Sequence, residues 1–263
     1  MKLIPCILLV AILATTQAEP KVTLIDGSWN PAEGGAVTTR PNPLHRPFGV
    51  DFDSKGRMWI VELESGRVHR LANGVRAHVG GDGSKSYKGD GGPLTQATFN
   101  GMHNVAVGPD DFVYISDSWN HCILKIDADG QITTIAGTGK PGFSGDDGQA
   151  AKAEFNYIMC ITLSPKGDKL HIADLKNRRI CEMDLHSGIV KTIAGNGNRG
   201  IPEDGTMATE APLVDPRAVC SDEAGNVYVL GREVMPCASF AQTEKFTPLR
   251  ATETKGAPMA LVH

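Results

Sequence analysis

The feature that most constrains this chain is a repeat with a period close to 57 residues. Trp59, Tyr114, His171 and Tyr228 stand 55, 57 and 57 residues apart. Each lies in a run rich in β-branched and aromatic side chains: Met58-Trp59-Ile60-Val61, Val113-Tyr114-Ile115-Ser116, Leu170-His171-Ile172-Ala173 and Val227-Tyr228-Val229-Leu230. A turn signal precedes each run, at Ser54-Lys55-Gly56, Pro109-Asp110-Asp111, Pro165-Lys166-Gly167 and Glu223-Ala224-Gly225. Self-similarity at a fixed period means that one supersecondary unit is copied, and that neighbouring copies bury each other's apolar faces.

Residues 100–139 are the cleanest copy. They read as four short strands, at 104–107, 112–116, 122–127 and 131–136. The turns between them carry Gly108-Pro109-Asp110-Asp111, Asp117-Ser118-Trp119-Asn120 and Asp129-Gly130, where Asp and Asn side chains bond nearby backbone. Strands this short, at this spacing, point to a sandwich, barrel or propeller. The fourth strand recurs as ITTIAGTG at 132–139 and VKTIAGNG at 190–197, with a weaker copy at 75–81. A Gly/Asp-rich connector follows each copy, at 82–99, 140–155 and 198–213. One four-stranded sheet per repeat, with a connector carrying the chain to the next sheet, is the construction of a β-propeller.

At this point the residues resemble a known family. Tyr114-Ile115-Ser116-Asp117, Asn120-His121-Cys122-Ile123 and the run Asp129-Gly130 to Gly137 are similar to the core motif of the NHL repeat, as is the connector from Gly89 to Phe99. The resemblance covers residues 44–233. It is strong in the second and third copies and weak in the first, where Glu62 and Glu64 stand in place of the Asp/Asn turn. It implies an all-β, NHL-type propeller of four-stranded blades. About three and a half repeats of a ring that is commonly six-bladed are present, and such rings often serve as binding scaffolds.

The flanks do not carry the repeat. Residues 1–18 read as a signal peptide, with Lys2, an apolar stretch at 3–13 and the small-residue site Thr16-Gln17-Ala18. The apolar stretch is too short for a membrane span, and an uncleaved anchor is the alternative. Residues 19–43 form a lead-in, and proline-rich 41–47 marks the boundary. In 234–263 the periodicity stops where a third strand is due. Taking the last base of each codon with the first two of the next permits G-N-A-L-R-L-V from Glu233 to Phe240. From Gln242 to Glu253 it permits D-G-K-I-H-T-V-A-G-N-G. The expectation is a frameshift near Glu233, with the rest of the fourth blade in another frame.

Net charge is -4 without a basic run, which leaves no electrostatic footprint for nucleic acid. No second apolar span follows the signal. Beyond it lie Cys122, Cys160, Cys181, Cys220 and Cys237, without a metal-type pair. Cys160 and Cys220 fall in equivalent strands, so a bridge between them and buried free thiols are both open.

Candidate chemistry is sparse. The connector acids at Asp90, Asp146 and Asp147 suggest calcium only without an EF-hand spacing, so loop geometry is preferred. His45 and His103 precede first strands, which are innermost in a propeller of this type, and Asp215 lies at the corresponding place in the fourth copy. These three are the channel-mouth candidates. A metal there would need several convergent ligands and an open position, and whether one binds is open. His121 and Cys122 are adjacent, but Arg178 and Arg179 replace them in the third copy, which favours architecture over a nucleophile–base pair. Asp117, Asn120, Asp174 and Asn177 recur and read as structural turn residues.

The expectation is therefore an exported, periplasmic or extracellular propeller that binds a protein, peptide or glycan through its connector loops. No cofactor and no catalytic residue are assigned to it. The alternative is a metal-dependent lactonase- or lyase-like propeller enzyme with a central-channel site and a divalent metal. A sensor or accessory domain is a third.

Overall fold

The computed structural model describes residues 44–231, together with the backbone of 238–240 and 246–248. The chain divides into two units, Met1–Pro43 and Leu44–His263, and the described residues all lie in the second. The expected signal peptide, the lead-in and most of the tail therefore lie outside the described residues.

Four antiparallel sheets follow one another along the chain. The first contains β1 (Pro47–Phe52), β2 (Met58–Glu62), β3 (Val68–Ala72) and β4 (Val75–Gly80). The second contains β5 (Met102–Val107), β6 (Val113–Asp117), β7 (Cys122–Ile126) and β8 (Ile132–Ala136). In the third, β10 (Ile158–Leu163), β11 (Lys169–Asp174), β12 (Arg179–Asp184) and β13 (Ile189–Ala194) pair in order, and the two-residue β9 (Gly148–Gln149) joins the outer edge. The fourth contains β14 (Pro216–Ser221), β15 (Val227–Gly231), β16 (Ala238–Phe240) and β17 (Phe246–Pro248).

Each sheet is one blade, and the fold is an all-β propeller of four-stranded blades. The first strands are innermost: β1 packs on β5, β5 on β10 and β10 on β14. In the first three blades the second strand is buried on both faces, which is why β6 reads VYI before the buried Ser116 and Asp117. Outer β8 is buried only at its ends.

The hydrophobic core consists of three clusters, one between each pair of successive blades. The first joins Trp59, Val61 and Val68 to Met102, Val105 and Ile115. The second joins Tyr114 and Ile123 to Ile158, Ile161 and Ile172, and the third joins Ala173 and Ile180 to Val219 and Val229. Each connector plugs its own interface, with Ala97 and Phe99, Ala153 and Phe155, or Ala211 and Leu213. The connector also covers the outer edge of the blade it leads into. Gly91 N–H donates to the Ile132 carbonyl and Asp147 N–H to that of Val190, so strand edges that would otherwise template aggregation are capped. Gly89 and Gly145, both at positive φ, allow this turn: a Cβ on either would lie 2.7 Å from Ala97 Cα or Ala153 Cα.

Stacking needs a neighbour on both sides, and the end blades show it. Val50 is 54% exposed, whereas the residue in the same slot of the second blade, Val105, is 3% exposed. Phe48, Phe52 and, on the fourth blade, Leu230 are exposed as well. The described blades therefore form an arc with an apolar face at each end.

Two places go beyond the sequence pattern. The tail after Glu233 lacks the strand periodicity, yet β16 pairs with β15 and β17 with β16. The open edge of β15 templates them, but each is only three residues long. The first copy has Glu62 where the second and third have the turn Asp. Glu62 fills that role: it accepts the His45 N–H at 2.7 Å, as Asp117 accepts from Asn100 at 2.7 Å and Asp174 from Asn156 at 2.8 Å. The longer Glu side chain reaches the same amide.

Candidate functional site

The start of every first strand, the loop between second and third strands, and the connectors all lie on one face of the propeller. This follows from the up-down order within each blade. Each first strand opens with a left-handed residue and a bulge. Arg46, Gly101, Tyr157 and Asp215 have φ of 52°, 75°, 68° and 41°. The ladder then slips at the second strand residue, Phe48, His103, Met159 and Arg217. A bulge leaves that residue unpaired and re-aims its side chain. One bulged residue per blade thus gathers around the channel mouth.

His103 is the centre of the group. Its Nδ1 lies 2.9 Å from the Gly101 carbonyl, so Nδ1–H donates there and Nε2 accepts from the Tyr157 hydroxyl at 3.2 Å. Phe48 meets the imidazole edge-on at 4.9 Å, Tyr157 at 5.1 Å and Trp119 at 6.3 Å. Burial holds the imidazole below its ordinary value, and the Arg217 charge pushes the same way against the Gly101 carbonyl. His103 is therefore neutral at pH 7. Tyr157 is positioned in turn by His121, whose Nδ1 accepts the Tyr157 N–H at 3.1 Å. Arg217 reaches across to Met159, its guanidinium 4.0 Å from Sδ.

The sequence-level candidates fall in three different slots of the repeat. His103 is in the bulge slot. Asp215 is in the left-handed slot of Gly101, and the bulge slot of its blade holds Arg217. His45 is exposed in the slot of Asn100, held by its backbone to Glu62. The three do not form a ligand set, and among the described residues no three His, Cys, Asp or Glu side chains converge as a metal site. Sequence spacing missed this because the copies differ in length, so residues near a strand start fall in different slots of the repeat. Phe48, Tyr157, Met159 and Arg217 emerge only when the copies are aligned on the ladder slip.

His121 and Cys122 do not act on each other. His121 takes the left-handed position that Arg178 occupies in the next blade, and the buried Cys122 thiol is pushed up by desolvation. Cys122, Cys160 and Cys181 are free thiols, so no bridge joins Cys160 to Cys220. Cys160 instead contacts the Val219 carbonyl of the next blade at 4.0 Å, as Asn104 bonds Ile161 N–H and Asp51 bonds Val107 N–H. These polar side chains link first strands that do not share a ladder.

The Asp/Asn pairs hold the connectors. Asn120 donates to Asp117 at 2.7 Å and to the Ser86 carbonyl at 3.0 Å; Asn177 donates to Asp174 at 2.7 Å and to the Gly142 carbonyl at 2.6 Å. The connector acids are engaged within their own blade, Asp90 by Thr134 N–H and Asp146 by the Thr192 hydroxyl. The residue after each gripped carbonyl is an exposed aromatic, Tyr87 or Phe143. Ile201 occupies the same connector slot, ten residues before the buried Ala211 as Tyr87 is before Ala97 and Phe143 before Ala153. All three are 38–50% exposed. They form one row on the face that holds the mouth. Arg179 stacks over Phe143 at 3.9 Å, and Lys85 lies 5.7 Å from the Trp119 ring.

Residues 99–126 match the NHL repeat. Human NHL repeat-containing protein 2 is 31% identical over 223 residues, 74% of this chain and 30% of that protein. Among solved structures, a Bacteroides thetaiotaomicron protein of unknown function is 21% identical with a TM-score of 0.58, over 82% of this chain and 50% of the other. Virginiamycin B lyase from Staphylococcus aureus is 16% identical with a TM-score of 0.53, over 81% of this chain and 58% of the lyase. The chain thus spans less than a third of the human relative and little more than half of the lyase. At these identities the two structures are alike in fold alone. The recurring ladder, the connector grip and the matched repeat together place this chain in the NHL-repeat family, as a β-propeller protein.

Proposed function

We propose that the chain is an exported binding protein whose connector face receives a protein, peptide or glycan. The observation that supports this is the row Tyr87, Phe143 and Ile201. Large apolar side chains at one equivalent slot in three successive connectors are unneeded by the core, which Phe99, Phe155 and Leu213 already fill. Solvent-exposed side chains in loops held on a rigid scaffold are how such folds carry recognition. The Asp/Asn grip supplies the rigidity by fixing the carbonyl just before Tyr87 and Phe143.

The test is a peptide-display selection and a glycan array, both run with the full chain and with a Tyr87→Ser, Phe143→Ser, Ile201→Ser triple variant. Ligands enriched by the parent should lose binding to the variant while it still unfolds cooperatively, its thermal midpoint lowered only by loss of the Tyr87–Thr134 bond and the Arg179–Phe143 stack. Ligands that bind both alike, or no enrichment at all, overturn the reading. The alternative enzyme needs convergent metal ligands, and His103 with Tyr157 is the one acid–base pair the described mouth offers. A stoichiometric divalent metal in the purified full chain would favour that alternative.

A further inference from the structure

Arg217 is the member of the bulge ring whose chemistry is incomplete. Its guanidinium Nε is buried and has no hydrogen-bond partner. Its terminal NH1 faces the Met159 thioether at 4.0 Å, a weak acceptor. Among the described residues it forms no ion pair. The neighbouring His103 offers no negative charge, since both ring nitrogens are engaged by Gly101 and Tyr157. A guanidinium is always ionised and carries five donors in a planar fork. Holding such a group half-buried against a thioether is costly unless an anion completes it.

The surroundings narrow the anion. Among the described residues, one of the four bulge positions holds a guanidinium: Met159 faces it, its charge acts on His103, and the exposed Phe48 ring and the Tyr157 ring both contact that imidazole. A phosphate dianion calls for more donors and charge than this. A carboxylate matches the fork bidentately and leaves the remainder of the ligand free to lie on the aromatic edge. We propose that the channel mouth binds a carboxylate attached to an apolar group, with Arg217 taking the carboxylate and Phe48 and Tyr157 the apolar part. The carboxylate has two sources: a small free acid, or the C-terminus of a peptide lying across the connector face. The second source rests on the connector-face reading; the first does not.

Calorimetric titration of the full chain tests this with four probes: N-acetyl-phenylalanine, its amide, and a short peptide ending in phenylalanine as free acid and as amide. The free acids should bind about tenfold tighter than the amides or better. Arg217→Gln should abolish the preference, Arg217→Lys should keep part of it, and Lys166→Gln, in an exposed turn at the opposite end of the blades, should leave it intact. Tight binding of the small acid alone identifies a small-acid site; a marked gain with the peptide identifies a chain terminus. Equal binding of acid and amide, no binding of any probe, or a preference that survives Arg217→Gln overturns the proposal. The acid–amide comparison on the parent decides by itself where a variant fails to fold. Loss of connector ligands in the triple variant with the acid preference retained would separate the two sites.

Discussion

Replacing Asp117 by Ala tests the account of how the connector face is held. Asp117 is fully buried; its Oδ1 accepts the Asn100 N–H and its Oδ2 the Asn120 amide, each at 2.7 Å. Truncation leaves both donors without this partner in a dry site. Each orphaned donor costs about 1–3 kcal/mol, so the loss should be about 4 kcal/mol. Asp117→Asn keeps an acceptor for Asn100 but turns an amide donor toward that of Asn120, so it should cost about half as much. Urea unfolding followed by tryptophan fluorescence reads both. A loss below about 0.5 kcal/mol for Asp117→Ala, the range of an ordinary surface substitution, would refute the reasoning. The same carboxylate has a pH signature. Burial raises Asp117 from 3.8 to about 7, against the opposing bonds from Asn120 and Asn100, and Asp174 behaves alike. The folded state therefore holds these protons more tightly than the unfolded chain. Their contribution is fully present below about pH 4 and is lost as pH rises through about 7. The double variant Asp117→Asn, Asp174→Asn should flatten the fall in stability across that window; an unchanged slope would show that the two carboxyls do not titrate there.

Gly101→Ala should be among the most damaging single changes, because φ is 75° and a Cβ would run into the Trp119 indole; a thermal midpoint close to the parent's would contradict the mouth geometry. Phe99→Ala should cost about 3–5 kcal/mol in urea unfolding, since Phe99 is wholly buried where the connector plugs the first blade interface. Peptide mapping after brief treatment with a thiol reagent should find Cys220 labelled first. Cys122 and Cys181, buried and with thiols pushed up by desolvation, should react only on unfolding; early labelling of either would mean that the blades open locally.

Much of the fold was legible in the chain because β-propeller information is periodic. The run VYI declared β6 because a strand buried on both faces is largely apolar, and ITTIAG declared β8 because it recurs almost unchanged as VKTIAG in the next copy. The Asp/Asn turns were legible for the same reason, since they recur at a fixed offset. Their second task was not: the bond from Asn120 to the Ser86 carbonyl spans 34 residues, and no local pattern announces it. Glu62 was visible at that offset, but that its longer side chain still receives the amide of the preceding segment was not.

The mouth was the least legible part. His45 lies two residues before β1 and Asp215 one before β14, whereas His103 is the bulged second residue of β5, so the three side chains meet different surroundings. Local sequence determines which segments become strands, because strand and turn preferences act over a few residues. Blade order and the plugging of each interface follow from the same repeats. Only the tertiary structure decided that Phe48 and Tyr157 meet on His103 and that Arg217 meets Met159, because these residues come from four separate blades, and that His121 positions Tyr157. Side chains about 55 residues apart become neighbours only when the sheets stack radially, and ladder register, not spacing along the chain, determines which of them do.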